Sequence, residues 1–526
     1  MTVRRAFARS LWLVWVLGLS QSAWAAGRQD PAVSVQEIQA ALARGDVDGA
    51  GSAVEAGLRA YPGDPALLNF AGVIAAQRGD WTTAETHFRE AIRLAPRAVP
   101  PYENLGRLYQ VRSVTDDTAR ARALDVYRAL LSVDPDNVEG LFQSALLRAQ
   151  AGEFAASRAL LDRLPRDVQE RPQALAVRVA ALAGTGDATS AAAADTLAGH
   201  PDIVAEDVLA VLPAFDHVQG DAVLGTLLAS LDRRGVVAPA LLRRLAAIQM
   251  RSGQFADARG TLDRVAAVEP TVPVLVDLAR AAAKAGDHRG ALGYLAHARS
   301  LDPQNATVHF LFGVVCVELD LVAEAYESMK KAVTLEPGNP AVNYMMGAAS
   351  LHRHEPSEAV PYFEKYVRLQ PDDPRGRFAL GVARFYSHDH DGARRDLAEV
   401  AGRPETAAGA NYFLARITRQ SSQLDQARQY VDRAIQANPA YADAWAELGL
   451  LQTRAGQYAE AEASLQKALS LEAENYQATV NLTALYTRTR DPRRDAQAAR
   501  LEALQKKRGE RAQDFLRMIE VVPPSR

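Results

Sequence analysis

Alanine stands at Ala291, Ala325, Ala359, Ala393, Ala427 and Ala461, each 34 residues after the one before. Gly313, Gly347 and Gly381 keep the same interval, Ala415 and Gly449 stay in phase, and so do Pro303, Pro337 and Pro371. A period this long, held over so many copies, leaves few folds open. It means one supersecondary unit repeated along the chain, each copy burying its apolar face against its neighbours.

The unit from Ala306 to Asn339 shows what is repeated. Val308, Phe312, Val315 and Cys316 recur at helical spacing, and Leu321 opens a second apolar run through Ala325, Met329 and Ala332. Two amphipathic helices fit, and no alternating strand pattern competes. A polar or Gly-containing turn separates them, and a Pro ends the second because it cannot continue the backbone hydrogen bonding. Gly313 and Ala325 fall where the paired helices cross, so a larger side chain there would push the backbones apart.

These residues resemble the tetratricopeptide repeat family, in which small residues at unit positions 8, 20 and 27 pack a helical hairpin and Pro at 32 closes it. Gly72, Ala84, Phe88, Ala91 and Pro96 match an early unit, and further units begin near Pro239, Val272, Ala306, Pro340, Pro374, Ala408 and Ala442. The last carries Trp445, Leu448, Gly449, Tyr458, Ala461 and Ala468, with Ala473 in place of the closing Pro. The unit of Tyr102, Leu105, Gly106 and Tyr109 is stretched around Val114–Ala123, and Pro165, Pro172, Pro201 and Pro213 punctuate Ala-rich helices without the full motif. The resemblance spans roughly two-thirds of the chain. It implies an all-α fold, a right-handed superhelical solenoid of stacked helix-turn-helix hairpins.

The expected organisation is an export signal over residues 1–25, N-terminal repeats over 26–164 and degenerate helical repeats over 165–238. A regular 34-residue array follows over 239–490, then a C-terminal capping helix and tail over 491–526. Arg4, Arg5 and Arg9 precede the apolar run Leu11–Leu19, and Ala23-Trp24-Ala25 offers a small-x-small cleavage site. That run is too short to span a bilayer, so no transmembrane span is expected once it is removed. Arg4-Arg5-Ala6-Phe7 also resembles a twin-arginine signal, with Val3 where that pattern usually has Ser or Thr; general secretion is the preferred of the two routes. The expected location is the periplasm or cell envelope.

Beyond residue 25 the chain keeps 57 basic and 63 acidic residues, a net charge of −6. No basic stripe dominates, which argues against nucleic acid as the partner. Cys316 is the single cysteine, so no disulfide forms within the chain, and its place on an inner helix face reads as a small buried hydrophobe.

In the family this chain resembles, unit positions 2, 5, 9 and 12 of the first helix line a groove that holds protein or peptide partners. Phe310, Tyr344, Phe378 and Tyr412 occupy position 5 of four consecutive units, and Val314, Val317, Leu351, Val382, Phe385 and Tyr386 gather on the same face. Arg243, Arg244, Arg251, Arg280 and Lys284 make the equivalent positions basic on the N-terminal side. We therefore expect an aromatic ladder that contacts a peptide, with Arg243, Arg251 and Arg280 steering its acidic segments. The Lys-and-Asn set by which chaperone-linked members clamp a carboxylate is absent, since Asn69 and Asn104 have no paired Lys in their units.

His352, His354, His388 and His390 fall near two successive turns, where solvated turn residues are favoured over a metal site. Asp202, Glu206, Asp207, Asp216, His217 and Asp221 in the middle stretch read as helix-surface acids rather than a paired-carboxylate site. The chain has no Gly-rich phosphate loop, His-Glu-x-x-His or Gly-x-Ser-x-Gly. A non-enzymatic adaptor of the bacterial envelope without cofactor or metal is the leading expectation, with possible peripheral association with a membrane complex. A structural subunit of a polysaccharide-export or secretion assembly is the alternative, and a metal-dependent or enzymatic protein on a helical scaffold the third.

Overall fold

The computed structural model describes residues 35–113, 116 and 118–509, so the expected export signal and the last part of the tail lie outside the described residues. The described chain forms 29 helices, from Val35–Ala43 to Arg494–Gly509, and contains no strand among the described residues. It is an all-α solenoid of helical hairpins. First helices begin at Pro239, Val272, Ala306, Pro340, Pro374, Ala407 and Ala442, on the beat read from the period.

Local chemistry starts and stops each helix. The side chains of Asp287, Asn305, Asn339, Asp373, Asp389 and Asn475 each accept a hydrogen bond from a backbone N–H in the first turn they precede. The turn inside each hairpin needs one left-handed residue. Gly286, Asp320, His354, His388, Ser422 and Gly456 all have positive φ, from 58° to 83°, and stand 34 residues apart. His354 and His388 are thus turn-closing residues of two successive hairpins.

Packing follows from the small positions. A Cβ on Gly347 would lie 2.7 Å from Cζ of the buried Phe363, so glycine is what lets Pro340–His352 cross Pro356–Leu369 with that ring between them. Burying such a ring contributes about 2–3 kcal/mol. Because each hairpin rests on the next within a unit, the core is spread over several apolar clusters rather than gathered in one central ball.

The chain divides into two compact units at Ser252/Gly253. In the first, the stretch of weak motif forms helices Arg166–Gln169, Pro172–Gly184, Ser190–Gly199, Ala205–Phe215 and Ala222–Arg233. A single apolar cluster runs through it from Leu141 by Val177, Leu197, Val211 and Leu227 to Ile248, so the irregular region is packed into its neighbours. Gly184 does there what Gly347 does in the regular repeats, since a Cβ on it would fall 2.1 Å from the Phe154 ring. In the second unit, Arg494–Gly509 packs on Tyr476–Thr489; Gln497 is buried, and the Arg500 guanidinium donates to the Ala473 carbonyl at 2.6 Å.

Candidate functional site

The expected aromatic ladder is corrected first. Tyr344, Phe378, Tyr412 and Phe385 are only 2, 9, 3 and 4% exposed, while Phe310 and Tyr386 are half-buried. The cause is visible ring by ring. Tyr344 meets Phe363 and Tyr366 edge-on at 5.5 and 5.1 Å, and Tyr412 meets Phe413 and Tyr441 at 5.2 and 5.4 Å. Phe378 lies over Gly409 of the following repeat, where a Cβ would come within 2.6 Å of Cζ. Three of the four position-5 rings are therefore core: Tyr344 packs within its own hairpin, and Phe378 and Tyr412 seal one repeat onto the next.

The basic residues are corrected in part. In the first unit Arg251 binds Asp221 through two hydrogen bonds of 2.6 and 2.8 Å, and Arg244 pairs with Asp216 at 2.8 Å. Arg243 is exposed and makes no ion pair among the described residues. In the second unit Arg280 sits 3.9 Å from Asp277. Arg251 and Arg280 thus carry charge that neighbouring acids already offset.

Those same pairs absorb Asp216 and Asp221 of the middle acids. Asp207 instead accepts from the Val204 backbone at 3.0 Å and from Gln173 at 2.7 Å, with its pKa raised by burial. Among the described residues no group of three or more His, Cys, Asp or Glu could hold a metal ion. The His388 and His390 rings stand edge-on with centres 6.1 Å apart, and the His390 ring rests against Phe385.

What stays open on the second unit's first helices is a smaller and more polar site than the ladder. The Arg416 guanidinium lies 4.7 Å from the Phe385 ring centre and 5.6 to 5.9 Å from those of Tyr412, Phe413 and Tyr386. Its single hydrogen bond among the described residues is a long one, 3.5 Å from Nη1 to Tyr386 Oη. Burial works against its charge, and the Tyr412 and Tyr386 phenols with Glu447 outweigh that and raise its pKa. One turn on, Arg419 donates from Nε to Glu447, whose carboxylate is 2% exposed and so committed.

Sequence reading passed over Arg416, although a signal was there. Position 9 of six successive units reads Arg280, Val314, Ala348, Val382, Arg416 and Leu450, so Arg416 is a cation set between apolar neighbours in its column.

The sequence profile described as tetratricopeptide repeat matches residues 35–99, 120–174, 276–340, 344–408, 378–439 and 412–478, more than half of the chain. The chain belongs to the tetratricopeptide repeat family. Comparison with curated proteins finds no match. Among solved structures this tetratricopeptide repeat protein is similar to the Cut9–Hcn1 hetero-tetramer of the APC/C, at 14% identity and TM-score 0.40, covering 90% of this chain and 98% of that one. It is also similar to yeast Tom70, at 15% identity and TM-score 0.36, covering 86% and 98%. A third similar structure is PilF of Pseudomonas aeruginosa, at 21% identity and TM-score 0.34, covering 39% and 94%.

Tetratricopeptide repeats are protein-interaction scaffolds, and this array is one. Its two units line their first helices differently. In the first unit polar groups join successive repeats. Asn104 donates to Asn69 at 3.0 Å, Asn137 to Glu103 at 3.2 Å, Arg107 to Glu139 at 2.9 Å and Gln110 to Gln143 at 2.6 Å. Asn69 and Asn104 are thus tied to each other by one amide hydrogen bond. The second unit has aromatic rings at the corresponding places, with Arg416 among them.

Proposed function

We propose that this protein is a non-enzymatic adaptor of the bacterial cell envelope that holds protein or peptide partners against the first helices of its second unit. The observation that carries this reading is a set of partly buried groups, Phe310 and Val314 on one repeat and Tyr386, Arg416 and Tyr441 further along, left among rings that are sealed. Such a surface is preformed on packed helices, so a flexible segment settling on it is the only party that loses much conformational freedom. Aromatic and arginine side chains at a partly dry surface are the groups that most often dominate binding energy.

Export rests on Arg4, Arg5, Leu11–Leu19 and Ala23–Ala25. Among the described residues no helix is long and apolar enough to cross a membrane.

Two measurements test the proposal. Fractionation of a bacterial host expressing the full chain should place a shortened form in the periplasmic or envelope fraction; an unprocessed chain in the cytosol contradicts export. Affinity capture from envelope extract, using the mature chain beside a Phe310→Ala/Tyr386→Ala variant of unchanged helicity, should retain proteins on the first and lose them on the second. Equal capture by both means that these first helices are a spacer, and that partners bind elsewhere.

A further inference from the structure

We infer that Arg416 is the receptor for an acidic side chain, Asp or Glu, of a protein segment bound to the second unit. This rests on the adaptor reading and gives its partner a chemistry.

Arg107 of the first unit supplies the comparison. It occupies position 9 of its repeat, as Arg416 does, and is almost fully buried. Its charge is met by Glu139, at position 2 of the next repeat, 2.9 Å away. The residue at that place after Arg416 is Asp443, one methylene shorter. Asn475 donates to its carboxylate at 2.7 Å. No carboxylate among the described residues reaches ion-pair distance of Arg416, and Glu447 is taken by Arg419.

A guanidinium has five N–H donors, all along its edge, and two π faces. Four aromatic rings lie within 6 Å of the guanidinium carbon and crowd the group. The edge makes one long bond, and its remaining nitrogens are not among the polar atoms sealed from solvent without a partner. Glu447 supports this half-buried charge from a distance, but with no direct ion pair the guanidinium has given up hydration that it only partly recovers. An incoming carboxylate recovers it by pairing two oxygens with two N–H groups of a guanidinium already crowded by rings. Ordering the arginine usually opposes such a bond, and here it is already ordered.

The test is an array of randomised 12-residue peptides probed with the mature protein, with Arg416→Gln and with Arg416→Lys, each first confirmed to keep its helicity. The expected result is that peptides retained by the parent carry an Asp or Glu at a preferred place. Replacing that acid by its amide weakens them about tenfold, and the loss shrinks as salt rises. On Arg416→Gln the acid and its amide bind alike, whereas Arg416→Lys keeps a reduced preference. Peptides that bind without acid preference, or a preference that survives Arg416→Gln, overturn this assignment and leave the adaptor reading standing. An array on which the parent retains nothing overturns both.

Discussion

His352 Nε2 lies 3.1 Å from Asp320 Oδ1, joining the end of one repeat's first helix to the left-handed turn of the repeat before it. The imidazole is 1% exposed, and its Nδ1 is buried with no hydrogen-bond partner. With Nε2–H donating to Asp320, a bare Nδ1 needs no donor. Protonation would put a second N–H where no acceptor stands.

Stability should therefore fall in mild acid. Burial holds the His352 pKa below its usual 6.5; Asp320 opposes that shift and His354 adds to it. The unfolded chain then takes up the proton more readily than the folded one. The contribution is fully present above pH 6.5 and is lost as pH falls through the lower folded value. The melting temperature should drop from pH 7 to pH 5, and His352→Gln should flatten that drop. An unchanged slope in the variant removes His352 as its source.

Ser422 holds a φ of 60° on the exposed turn between Ala407–Gln420 and Leu424–Ala437. Glycine stands at that place in the repeat of Gly456, and it adopts this conformation without Cβ strain. Ser422→Gly should stabilise its hairpin by about 0.5–1 kcal/mol, and Ser422→Val should destabilise it by about 1–2 kcal/mol. Hydrogen exchange of the amides in Leu424–Ala437 reports the local change.

The corrected role of the aromatic ladder separates two substitutions. Tyr344→Ala removes a buried ring set between Phe363 and Tyr366 and should cost about 3–5 kcal/mol. Tyr386→Ala, at a half-exposed site, should cost about 1 kcal/mol and show instead in partner binding. Urea denaturation of both variants decides it; near-equal losses would mean that Tyr386 is as structural as Tyr344.

Glu139→Ala leaves Arg107 buried without its counter-ion, and should cost about 3–5 kcal/mol. The double change Arg107→Leu/Glu139→Leu should recover most of that loss. Thermal denaturation of the two proteins tests it, and a double variant no better than the single one would show that the pair stabilises in its own right.

Cys316 is fully buried, and burial pushes its thiol pKa up to about 12. A thiol reagent at pH 8 should label it only as fast as the surrounding hairpin opens, so urea should accelerate labelling sharply. Prompt labelling of the native protein would place the thiol at the surface.

Much of this was legible in the sequence because repeats convert tertiary contacts into a linear period. Gly313, Gly347 and Gly381 announced the helix crossings, and Pro303, Pro337 and Pro371 announced the hairpin ends. The period also reached the turns, although His354 and His388 disguised them, since a left-handed site usually advertises itself as glycine. In the stretch around Pro165–Pro213 the motif failed but the apolar strip did not. Ala-rich helices can keep a core with Gly184 under Phe154 in place of the usual small residues.

What a side chain at a given repeat position does was settled only in three dimensions. Position 5 marks a ring on the first helix whether it faces solvent or the next repeat. Gly409 beneath Phe378 and Tyr441 against Tyr412 decided that question. Position 9 holds an arginine in both units. Only the reach of Glu139, and Asp443 held by Asn475, made Arg107 a neutralised core pair and Arg416 a caged cation with an open edge. The sequence by itself determined the repeat, its length and its helix crossings, because those depend on residue size at a fixed interval. The tertiary structure alone decided which charges and rings remain available, because that turns on contacts a few ångströms long between residues some 30 positions apart.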